Sequence, residues 1–166
     1  MTAGGGPLGA LEASGLGQVM RQWLWLYPSV EIVHIVGIAL LFGSIAVLDL
    51  RLLGFSRSLS VKRLAAHVLP WTAASFLLIV PSGLAMFTAH ATEFIQSDVF
   101  VLKMLLIMAA GLNAALFHAI TFRTADVWDS EEMRRLPPPP SARLAGAVSL
   151  LVWIGVIACG RLLAYF

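Results

Sequence analysis

Six ionisable side chains, Glu31, His34, Asp49, His67, Lys103 and His118, sit inside or beside long apolar runs. Charge is expensive to bury in such surroundings, so groups of this kind usually face a polar path, a cofactor or one another. Three of them share the run YPSVEIVHIVGIALLFGSIAVLDLR, from Tyr27 to Arg51. At about 100° per residue, Glu31 and Asp49 point the same way and His34 lies within about 60° of both, so the spacing predicts one inward polar stripe.

Depth sorts these groups into two levels. His34 lies about 10 Å from the outer end of its run and Lys103 about 6 Å from the start of another that runs in the same direction. Arg161 is close to the end of the last run. Glu31, His34, Lys103 and Arg161 therefore form an expected outer polar layer. His67 and His118 lie near the opposite ends of their runs at matching depth, with Asp49, Arg51 and Asn113 at or near that level, as an expected inner layer.

Two imidazoles at equal depth on facing helices are what a b-type haem takes as axial ligands. His67 with His118 fits that requirement, and an outer haem or metal ion would fall to His34, alone or with Lys103. His90 is 23 residues from His67, about 34 Å along a helix against a hydrocarbon core of about 30 Å, so it reads as interfacial. Copper is the alternative metal, because Met104 and Met108 form an i, i+4 pair of soft donors, although methionines in such a run also simply pack. Glu31 and His34 form an ExxH pair like half a di-iron site, but no inward carboxylate on the other spans completes it.

The elements that must position these residues are apolar throughout. Of 166 residues, 59% are hydrophobic and only 12% charged, with a mean hydropathy of +0.87, against about 25% charged residues in ordinary soluble domains. Spans are expected at about 27–50, 64–88, 99–122 and 142–163, each near the roughly 20 residues that cross a bilayer. The fold class is all-α, an integral membrane antiparallel four-helix bundle in a domain over 27–166. Residues 1–26 are expected to be a flexible tail leading into a short interfacial amphipathic helix, with Trp23, Trp25 and Tyr27 at the membrane surface. They lack the pattern of a cleaved signal.

Arg51, Arg57, Lys62 and Arg63 follow the first span, and Arg123, Arg134, Arg135 and Arg143 follow the third, whereas the turn from His90 to Asp98 has no Lys or Arg. The positive-inside bias then puts both basic loops in the cytoplasm and both termini outside. A formal charge of +2, spread over loops, excludes a nucleic-acid surface. Cys159 stands alone, so no intrachain disulfide forms. Pro70 and Pro81 predict kinks in the second span. Prolines 137 to 140 predict a stiff extended spacer, with a docking segment for a soluble partner as the alternative.

The segments EIVHIVGIALLFGSIAVLDLRLLG, HVLPWTAASF, FVLKMLLIMAAGLNAALFH and RLAGAVSLLVWIGVIACGRLLAYF resemble a bacterial family of small four-span membrane proteins, a domain of unknown function. That resemblance implies a multi-pass protein of the bacterial inner (cytoplasmic) membrane. More distantly, His34, Lys103 and His118 are similar to positions in copper-resistance-D-like proteins and in the four-helix protoporphyrinogen oxidase, which implies a haem or metal connection. Three functions follow as expectations. One is a b-type haem redox protein drawing on a quinol or a periplasmic redox partner. Another is a small permease for copper or protons. The third is a non-catalytic anchor whose polar layers are interhelical glue. The sequence leaves the oligomeric state open.

Overall fold

The computed structural model describes residues 6–165. Among them the α-helices are α1 (Pro7–Glu12), α2 (Gly15–Gln22), α3 (Leu26–Leu53), α4 (Val61–Ala89), α5 (Ala91–Gln96), α6 (Asp98–Leu116), α7 (Ala125–Trp128) and α8 (Pro140–Leu162). A π turn over Phe117–Thr121 and a 3-10 turn over Phe122–Thr124 carry α6 into α7 without a break. The helical stretches Leu26–Leu53, Val61–Ala89, Asp98–Trp128 and Pro140–Leu162 are each long and apolar enough to cross a membrane. The chain is a multi-pass membrane protein built as an all-α four-helix bundle.

Local chemistry sets the boundaries. Gly54 ends α3 at φ +105°, a left-handed position that a side chain would strain, and its N–H bonds back to the helix. Ser60 caps α4 by accepting from the Arg63 N–H. Pro139 is extended (φ −56°, ψ 150°) and Pro140 opens α8, where its missing N–H costs nothing. The expected proline spacer is thus a short extended entry into a helix. Pro138 is buried there, against the Gly54 turn. Pro70 and Pro81 lie within an α4 that continues through both. Each is followed by a hydroxyl bonded to a carbonyl of the preceding turn, Thr72 to Val68 and Ser82 to Leu78, which re-satisfies loosened backbone.

Packing does not follow chain order around a ring. α3 lies against both α4 and α8, and α8 against α6, but α4 and α6 make no substantial contact. Close approach depends on small residues, as expected where lipid is as apolar as the side chains. A Cβ at Gly37 would lie 2.8 Å from Ile79 Cγ1 of α4, and one at Gly146 would lie 3.0 Å from the Asp49 carbonyl oxygen of α3. The buried core, including Leu48, Leu52, Val61, Ala65 and Phe117, is gathered at the end carrying the basic loops. Leu77, Met108 and Leu151 are 76%, 72% and 70% exposed and form part of an apolar outer surface. Met104 is also exposed, which sets the Met104–Met108 pair on that outer face.

Residues 1–5 of the expected flexible tail lie outside the described residues. From Pro7 the segment forms two short helices, where one was expected, docked on the far end of α4, remote from the basic loops. Ser14 breaks it by capping α2, its Oγ accepting from the Gly17 N–H at 3.2 Å. Met20 is 1% exposed, and at Gly17 a Cβ would meet the Thr88 carbonyl oxygen at 2.8 Å. The reason lies in unsatisfied helix ends. Arg21 donates to the Ala89 carbonyl at the end of α4 (2.8 Å) and to the Glu12 carbonyl (2.6 Å). The Glu12 carboxylate accepts from the Thr92 N–H at the start of α5 (2.7 Å).

Candidate functional site

Because α4 and α6 stand apart, the four long helices enclose a cavity of about 340 Å³. Each helix lines it with a stripe at helical spacing. These are Ile45, Asp49 and Leu52 on α3; Val68, Thr72 and Phe76 on α4; Ile107, Gly111, Ala114 and the following His118 on α6 and its π turn; and Ala145, Ser149 and Trp153 on α8. The wall is mostly apolar, with a few convergent polar groups, as in small-molecule sites generally.

Asp49 is the unusual member. It is 5% exposed, and its Oδ2 is buried without a hydrogen-bond partner. Among the described residues no cation pairs with it. Ser149 lies beside its carboxylate across the α3–α8 contact. His118 also lines the cavity, with Nδ1 2.9 Å from the Ala114 carbonyl oxygen. A carbonyl only accepts, so that nitrogen is the donor, and in the neutral ring Nε2 is the one with the free lone pair. The π turn at Phe117–Thr121 adds a widened helical turn at this residue, a feature found often at functional sites. Asn113 Nδ2 donates to the Ala145 carbonyl at 3.0 Å and ties α6 to α8 beside the cavity.

The expected pairing of His67 with His118 does not appear. His67 is exposed and lines a separate recess at the basic end. The cavity stripe on α4 runs Val68, Thr72, Phe76, and His67 is rotated about 100° from Val68. Equal depth did not bring the two imidazoles onto facing surfaces.

The expected outer layer also divides. His34 packs against α4, its Nδ1 lying 3.1 Å from the Ile79 carbonyl oxygen and 2.9 Å from Ser82 Oγ. Gly83 leaves room for the ring, since a Cβ there would lie 3.1 Å from His34 Cε1. Lys103 is half-buried against α8, its Nζ 3.5 Å from where a Gly160 Cβ would stand. Glu31 instead faces outward. It lies little more than one turn inside α3, near enough to the interface for its carboxylate to reach polar surroundings. Arg161 is exposed too, donating to the Tyr165 hydroxyl and stacked 4.8 Å from that ring. Among the described residues no three His, Cys, Asp or Glu side chains converge in metal-binding fashion.

Arg51 leaves the level of Asp49 for the basic loops. Its Nη2 is 3.2 Å from Asp129 Oδ1, and its Nε donates to the Leu59 carbonyl at 2.6 Å. Asp129 Oδ2 also accepts from Ser60 Oγ at 2.7 Å and from the Lys62 N–H at 3.3 Å. Asp129 was not foreseen because it lies in a loop rich in other acids, and nothing in a loop's composition tells which carboxylate turns inward. Ser149 was missed as one hydroxyl in an apolar run.

Residues 9–166 match the pattern of a family of unknown function, DUF6644. The chain belongs to that family. The matched region takes in all four spans and every residue lining the cavity. No curated protein and no solved structure matches the chain.

Proposed function

We propose that this protein binds a small lipid-soluble molecule bearing a hydrogen-bond donor, of the quinol class, in the cavity between α3, α4, α6 and α8. The observation that carries the reading is Asp49 Oδ2, a buried carboxylate oxygen without a hydrogen-bond partner in a mostly apolar cavity. Leaving such an atom unsatisfied is costly, and a ligand hydroxyl is the group that repays it. His118 Nε2, on another wall of the same cavity, offers a second acceptor. An apolar ring between them fits the aliphatic and aromatic lining, and the separation of α4 from α6 gives a lateral route from the acyl chains.

The test is fluorescence quenching of Trp153, which lines the cavity. Decylubiquinol titrated into the detergent-purified protein quenches saturably, Trp153→Phe removes that component, and Asp49→Asn with His118→Ala abolishes it. Undiminished saturable quenching in the double variant overturns the proposal.

A second reading is b-type haem held by His118 alone. It is favoured by the Ala114 carbonyl on Nδ1, the kind of outer contact that orients a ligating imidazole. It requires a Soret band in protein purified from haem-supplied cells, lost on His118→Ala. Colourless protein from those cells rejects it.

A further inference from the structure

A recess of about 400 Å³ opens at the basic end, between the turn after α3, the first turns of α4 and the connection from α6 to α8. Arg63 and His67, one helical turn apart on α4, share a face in its wall. Arg134 enters from the other side, its Nε bonded to the Asp129 carbonyl oxygen (3.0 Å) and its Nη1 to the Ser58 carbonyl oxygen (3.4 Å). The remaining lining residues are Ser58, Leu59, Ser60 and Leu64, so no acidic side chain lies in the wall.

Asp129 pairs with Arg51 and, at 3.8 Å, with Arg134, and it accepts from Ser60 and Lys62, while Asp126 pairs with Lys62 at 2.5 Å. Arg63 belongs to no ion pair among the described residues. The recess thus gathers two guanidinium groups and an imidazole, and of the two guanidinium groups only that of Arg134 has a carboxylate beside it. Its depth is also specific. Arg63 and His67 lie about 3 Å and 9 Å along α4 from Val61, at the level where headgroup gives way to acyl chain. Leu59 and Leu64 supply an apolar floor beside the charge.

We infer that this recess binds a phosphate group, carried by an anionic phospholipid whose chains continue along the outside of the bundle. Guanidinium groups match phosphate oxygens in paired hydrogen bonds, and basic pockets at this level hold anionic headgroups. The inference gives His67 a role as a third hydrogen-bond donor. It is independent of the ligand proposed for the central cavity, because the two sites share no lining residue.

Native mass spectrometry of the delipidated, detergent-purified chain tests it, with cardiolipin and phosphatidylcholine as the added lipids. The expected result is one retained cardiolipin under activation that strips phosphatidylcholine. Arg63→Gln should weaken retention about fivefold, while Arg143→Gln, an equal loss of charge outside the recess, changes it less than about twofold. His67→Gln tests the third donor and weakens retention in the same direction. Arg134 is left intact because it also braces the loop. Equal retention of the two lipids, or equal effects of Arg63→Gln and Arg143→Gln, overturns the inference. Inorganic phosphate added in excess separates the sources. Failure to displace cardiolipin assigns the recess to lipid, and displacement with no affinity gained from acyl chains assigns it to free phosphate.

Discussion

Arg51, in the last turn of α3, and Asp129, 78 residues further along the chain, form an ion pair of 3.2 Å with side chains only 3% and 2% exposed. It fastens the end of α3, the start of α4 and the α6–α8 connection into one unit, because the same carboxylate accepts from Ser60 and Lys62. Such pairs gain little over apolar packing yet are severe to break, since the survivor is a buried charge without a partner. Arg51 Nη1 already lacks a partner. Asp129→Ala should therefore destabilise the protein by about 3–5 kcal/mol. Unfolding in mixed micelles measures this, and Arg51→Met with Asp129→Leu should recover most of the loss. A double variant as unstable as Asp129→Ala would show that the pair is not the source of the cost.

Two glycines in transmembrane helices should respond in opposite directions to the same substitution. Gly146→Ala puts a methyl group 3.0 Å from the Asp49 carbonyl oxygen and 3.1 Å from Leu52 Cβ. The backbone oxygen has little room to yield, so α3 and α8 must part, at a cost of about 1–3 kcal/mol. At Gly43 a Cβ meets nothing within 4 Å. Gly43→Ala should stabilise by about 0.5–1 kcal/mol through the lower conformational freedom of the unfolded chain. The same unfolding assay reads both, and a shared sign would refute the account of the α3–α8 contact.

The four spans were legible because apolar length and flanking charge determine them directly. The expected 27–50 and 64–88 became Leu26–Leu53 and Val61–Ala89, the extra turns coming from the Gly54 and Ser60 caps. Neighbour relations were not legible in the same way. Sequence depth places His67 level with His118, but only the packing shows that α4 and α6 stand apart, with Val68 rather than His67 turned to the cavity. Asp49 was recognised as buried from its cost in an apolar run. Its Ser149 neighbour and the role of Asp129 depended on contacts between residues distant in the chain.

The docking of the amino-terminal helices should depend on pH. Glu12 has its pKa lowered by the hydrogen bond from the Thr92 backbone N–H, with Arg21 nearby adding to the effect. A carboxyl group with a folded pKa below its unfolded one contributes stability at pH above the unfolded value and loses it as pH falls through the lowered folded value. Hydrogen-exchange protection over residues 7–22, corrected for the intrinsic exchange rate at each pH, should thus be high near neutrality and fall on acidification through the carboxylate range. Glu12→Gln should show fast exchange already at neutral pH, with less dependence on acid. An unchanged acid response in Glu12→Gln would assign it to another group.

Gly111 allows the cavity to be tested without touching its polar groups. It lines the cavity, yet a Cβ built there meets nothing within 4 Å, so a larger side chain has space to enter before it strains the bundle. Gly111→Leu should leave unfolding unchanged or make it harder, since an added apolar side chain fills open space and removes a flexible helical position. The same leucine should exclude decylubiquinol, so the Trp153 quenching should vanish although Asp49 and His118 are both present. This separates a ligand that enters the cavity from one that merely coats the apolar exterior, whose binding would survive. Quenching of parental strength in a stably folded Gly111→Leu protein would move the ligand out of the four-helix cavity and leave Asp49 Oδ2 without the partner assigned to it.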